Sequence, residues 1–211
     1  MRHWLPILSL IALLLYAGWV LDRHREQPDR PAISALNTVM AKAGGSLESA
    51  RFLLVAPITD PATPARLRER LGWKGSPPGG EQREAWLQTQ EGAHYLVLNW
   101  QMVGEAAQRW AENHPLLTRA LEEAGVATPF HVELQGKIPG KRELLTLAHR
   151  ALDELGASAR QPWTGERSAS VAGWSARLPS GPHEVNVQVA ARQTEEAVRL
   201  WVAWPALTGD Y

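Results

Sequence analysis

The chain has 211 residues, and its 22 Lys and Arg balance 22 Asp and Glu, so the formal net charge is zero. It lacks the overall basic excess from which nucleic-acid binders draw affinity, and with no cysteine it excludes disulfides, thiol catalysis and Cys-ligated zinc. With 45% hydrophobic and 21% charged residues, it reads as globular rather than disordered.

Residues 5–21, LPILSLIALLLYAGWVL, contain no charge. A bilayer-spanning helix takes about 17–25 such residues, so residues 1–22 read as a transmembrane signal-anchor or a signal peptide. The run is longer than a signal-peptide core, and the best cleavage site, Leu15-Tyr16-Ala17, starts with a large residue. An uncleaved anchor is therefore favoured. Arg2 precedes the run, while Arg23, Arg25 and Arg30 follow it. The positive-inside rule thus gives no support for export, and an extracytoplasmic body rests on the short head alone.

Residues 23–30 form a charged linker. Ile33, Leu36, Val39, Met40 and Ala43 then recur at helical spacing until Gly44-Gly45. RFLLVA at 51–56 reads as a strand ending at Pro57. Asp60-Pro61 and Thr63-Pro64 each resemble an N-cap followed by proline, opening a short helix that Gly72 closes. Residues 73–80 are a Gly/Pro loop. Strands at 84–90 and 93–102 meet at Glu91-Gly92, a hairpin signal.

A helix at 105–124 should be split by Pro115 near Asn113-His114. The second half opens with a strand at 130–138 and a Leu-rich helix at 141–155, striped by Leu145, Ala148, Leu152 and Leu155. Residues 161–167 read as a loop. Strands follow at 168–178, 183–191 and 197–204.

Both halves therefore run strand, helix closed by Gly, then a strand pair. This predicts an α+β fold within residues 31–211, with pseudo-repeats at 48–125 and 129–207, a mostly antiparallel sheet and helices on one face. Two such halves facing each other would make a curved, saddle-like sheet.

The apolar leader and following helix, ESARFLLVA with its helix, the LQTQEGAHYLVLNWQ hairpin and FHVELQGKIPGK before a Leu-rich helix occur in an order that resembles the YwmB family. The resemblance covers about residues 33–207 and implies a fold like that of the TATA-box-binding protein, in an exported or membrane-tethered protein of Gram-positive spore formers. It implies no catalytic signature and no cofactor, and fold alone does not assign function.

No His-Glu-x-x-His, Gly-x-Ser-x-Gly, P-loop or Gly-x-Gly-x-x-Gly motif occurs. Gly173-Trp174-Ser175 lacks the second glycine of a nucleophile elbow. His94, His131 and His183 each open a strand and would meet only in one sheet arrangement. The pairs Glu122-Glu123, Asp153-Glu154 and Glu195-Glu196 read as solvated surface. Ten Trp, against three Tyr and two Phe, read as core groups or as an exposed aromatic surface.

The constellation singled out is the open sheet face. In the second half it should carry Glu184, Asn186 and Gln188. In the first it should carry either Tyr95, Val97, Asn99 and Gln101 or the opposite row, with Trp86, Trp174 or Trp201 joining according to register. A row with an acidic member and without Lys or Arg argues against DNA. The sequence thus points to a non-enzymatic domain without a metal or cofactor, tethered through residues 4–21 and contacting an envelope protein or polymer. A nucleic-acid-binding domain, by fold analogy, is the alternative, and a wall hydrolase with an unrecognised site is a third reading.

Overall fold

The computed structural model describes residues 29–127, 130–178 and 185–204. The apolar run and most of the linker lie outside these residues. Among those described, no helix is long and apolar enough to cross a membrane.

The fold is α+β, and the described residues form one eight-stranded antiparallel sheet and four α-helices. In chain order the elements are α1 (Asp29–Lys42), β1 (Ser46–Ile58), α2 (Thr63–Arg70), β2 (Glu81–Gln90), β3 (Ala93–Val103), a 3-10 turn (Gly104–Arg109), α3 (Trp110–Glu123), β4 (His131–Pro139), α4 (Leu144–Glu154), β5 (Ala157–Thr164), β6 (Ser168–Ser175), β7 (Val187–Gln193) and β8 (Ala197–Trp204). The strand order is β2-β3-β1-β4-β8-β7-β6-β5. Strands β1 and β4, which open the two halves, pair where the halves meet.

Alternation sorts every strand into two faces. Phe52, Leu54, Leu98, Trp100, Leu134 and Val202 point to one side and join Leu36, Leu67, Trp110, Leu117 and Leu152 from the helices in a single core. Phe52 is its hub, edge-on to Trp100 at 5.6 Å and to Phe130 at 5.4 Å between ring centroids. The Trp110 indole donates to Asn37 Oδ1 at 2.7 Å and ties α3 to α1. Gly136 lets α1 approach β4, since a Cβ there would lie 2.7 Å from Met40 Sδ and 2.9 Å from the Ser46 carbonyl oxygen.

The hairpin at Glu91-Gly92 forms as its sequence predicts, with φ of 51° and 82° at the two residues, the pattern of a type I′ turn. Several boundaries differ from expectation. Strand β1 continues through Pro57, because past Leu53 its described pairing is with β3 alone, and a one-sided strand tolerates a missing N–H. Ala62, not Thr63, is the N-cap of α2, and the Asp60 carboxylate accepts from Ala62 N–H at 2.8 Å, which holds its pKa below the ordinary value. The break in the long helix falls at Arg109/Trp110, ahead of Pro115, which sits inside α3 and on its exposed side. Helix α4 begins at Leu144, capped by the Glu143 carboxylate, which accepts from the backbone of Leu145 and Thr146.

Residues 161–164, expected in a loop, belong to β5. This edge strand carries a bulge after Ala159 and a proline at 162, so no apolar alternation betrays it.

Candidate functional site

No described helix packs on the second face of the sheet: the core cluster draws only on the first. Tyr95, Val97, Asn99 and Gln101 all lie on this second, open face and are half-buried, while Leu96, Leu98 and Trp100 form the opposite, core row. Gln188 lies on it too, donating to Ser170 Oγ at 2.9 Å. Trp86, Trp174 and Trp201 share the face, and so does Trp163, which the sequence had hidden in a loop. Trp163 and Trp86 are 55% and 44% exposed. Trp100, Trp110 and Trp204, by contrast, are core groups, so tryptophan serves both roles.

Asn186 is not on the open face. It precedes β7 and is fully buried, its amide accepting from Ser175 N–H at 2.7 Å and donating to the Ser175 and Leu178 carbonyls at 2.8 and 3.2 Å. The alternation that placed it beside Gln188 does not hold, because β7 starts only at Val187. Glu184 lies outside the described residues.

Ser175 is likewise structural. Its buried hydroxyl donates to the Leu155 carbonyl at 2.6 Å. His131 is on the open face and His94 on the helix side of β3 beside Thr89, so these two do not meet; His183 lies outside the described residues, and His114 is in the core. No cluster of three metal-ligating side chains occurs among the described residues. Of the carboxylate pairs, Glu123 bonds Arg70 and Glu154 bonds Lys42, both as surface ion pairs.

Register assembles rows that cross the sheet. One runs Gln82, Gln101, Arg51, Glu133, Ala203, Gln188, Ala172, Gln161. At its centre the half-buried Glu133 carboxyl is held above its ordinary pKa by burial, opposed by the charges of Arg51 and His131. The buried Nδ1 of His131 has no partner among the described residues.

Four residues on from Arg51, β1 reaches Val55, whose row continues through Val97 to Trp86. Four residues on from Glu133, β4 reaches Lys137, whose row continues through Arg199 to Arg192. Corresponding places in the two halves are therefore apolar in one and basic in the other. The sequence expected no Lys or Arg in the row of Glu184, Asn186 and Gln188; across the sheet, Arg51 shares a row with Gln188, and Lys137, Arg199 and Arg192 form a second row. Arg192 and Arg199 face each other in the β7–β8 hairpin, while Lys137, far from both in sequence, joins them only through the pairing of β4 with β8.

Arg167 joins Arg192, Arg199 and Trp201 around a depression of about 520 Å³. Glu195 lines it as well, but no ion pair or side-chain hydrogen bond holds Lys137, Arg167, Arg192 or Arg199 among the described residues. Clustered cations without internal partners, next to the half-buried Trp201 indole, can receive an anionic or ring-bearing ligand. Nothing in this arrangement pairs a nucleophile with a base. No protein-family model and no curated relative matches the chain.

Proposed function

We propose that the chain is a non-enzymatic binding domain of the cell envelope, held at the membrane by residues 5–21 and extracytoplasmic. The resemblance to the YwmB family and to the TATA-box-binding fold supports this reading, which leaves the activity of the family's members open. The observation that carries it is the sheet face on which no described helix packs, with its exposed tryptophans, since a purely structural antiparallel sheet gains nothing from indoles in water.

The nucleic-acid reading draws on the basic row, but the zero net charge offers little for the phosphate backbone. A gel shift that weakens steeply with added salt would favour it.

Two observations test the proposal on the full chain in its own host. Protease added to spheroplasts should digest the body, and the detergent-extracted chain should sediment with isolated envelopes. Complete protection of the body would place it inside the cell and defeat the extracytoplasmic reading. Failure to sediment with any envelope fraction would defeat the binding reading.

A further inference from the structure

The geometry points to an acidic glycan as the ligand of the β4–β8–β7 corner. Lys137, Arg199 and Arg192 hold its anionic groups, and Trp201 and Trp163 pack against its sugar rings. This rests on the reading of the open face as a binding surface and names what that surface takes.

The three cations stand on adjacent strands, so their backbones are about 4.8 Å apart and their side chains leave the same face in one row. All three are exposed, with Arg167 beside them. Two residues along each strand lies a parallel row, Gln135, Trp201, Ala190, Ser170, Trp163, which places aromatic and amide groups alongside the charges. A guanidinium binds carboxylate or phosphate through two parallel N–H groups. An indole face offers flat apolar area with a polar edge.

The surroundings favour a sugar polymer over a nucleic acid. Nucleic-acid affinity grows with the number of phosphates neutralised, and this corner supplies four cations on a chain of zero net charge. Carboxylates stand at its rim as well, with Glu195 in the depression and Glu48 and Glu196 beside Lys137 and Arg199. They lower the net positive charge of the corner, so a polyanion that relies on charge alone gains little there. Elsewhere the face is rich in amides, among them Gln101, Gln135, Gln161 and Gln188. An amide donates and accepts at once, the pairing that neighbouring hydroxyls require.

The test titrates the detergent-solubilised full chain with polygalacturonate, following tryptophan fluorescence and heat. Dextran is the neutral control and oligodeoxythymidylate the nucleic-acid control. Polygalacturonate should bind and perturb the fluorescence, more weakly as salt rises, and dextran should not bind. The double variant Arg192→Gln, Arg199→Gln should weaken binding at least tenfold with unchanged melting. Trp163→Ala, at an exposed site, should weaken it without loss of fold. Absence of polygalacturonate binding, indifference to the double variant, or tighter binding of the oligonucleotide overturns the assignment. If the chain still sediments with envelopes in that case, only the ligand class has failed. If it does not, the binding surface itself has failed.

Discussion

Arg51 and Glu133 face each other across the β1–β4 pair, yet the guanidinium turns away and donates from Nε to Asn99 Oδ1 at 2.9 Å. Asn99 in turn donates to Glu84 at 3.4 Å. The open face is thus laced laterally across β1, β3 and β2, while Glu133 keeps a half-buried carboxylate in no ion pair among the described residues.

Burial holds the Glu133 pKa above the unfolded value of 4.5, so the folded state binds that proton more tightly. The stabilising contribution is present below pH 4.5 and is lost as pH rises through the folded pKa. Glu133→Gln should therefore raise the melting temperature at pH 7, with the gain disappearing in acid. Thermal unfolding at several pH values checks this.

His114 carries a larger pH effect. Its ring is enclosed by Phe52, Phe130 and Trp204, and both nitrogens are buried without a hydrogen-bond partner among the described residues. Burial lowers its pKa from 6.5 to about 4. Stability is complete above pH 6.5 and falls as pH drops toward 4, because the unfolded chain takes up the proton first. Between pH 7.5 and 5 the loss from this residue should be about 2 kcal/mol. His114→Phe should abolish that part of the pH dependence, as read by urea unfolding at the two pH values.

Glu81 begins β2 with its carboxylate almost fully buried, bonded to Arg83 at 2.6 Å, Arg109 at 2.9 Å and the Trp100 indole at 3.0 Å. Glu81→Ala strands the Arg83 charge and the indole N–H together. The expected cost is about 3 kcal/mol, measured by chemical denaturation. Arg109→Ala should cost much less, since Arg109 is half in water.

Gly136→Ala forces a methyl group against Met40 and the backbone of Ser46. Helix α1 must move off β4, at a cost of about 1–3 kcal/mol. Met40→Ala in the same chain should recover part of that loss, because it removes the sulfur the new methyl meets.

Strand β3 is legible because it alternates between one wet and one dry face, and β8 because it is a short apolar run ended by Pro205. Strand β8 spans the expected residues, Ala197–Trp204. Strand β5 is illegible because an edge strand with a bulge and Pro162 has no periodic demand on its side chains. Asn186 is placed on the wrong side because alternation was carried past the end of β7, where the chain turns in to bond Ser175. The basic row could not be read at all. Lys137, Arg192 and Arg199 become neighbours through register, a property of pairs of strands and not of any one segment.

The most direct measurement of the open face as a binding surface is a photo-crosslinker scan of the full chain in intact cells. Probes at Gln101, Gln188 and Arg199 report the open face, and probes at Arg119 and Arg150, exposed on α3 and α4, report the helix side. Adducts to envelope material from the first set, with none from the second, are the predicted result. Adducts confined to Arg119 and Arg150 would contradict it.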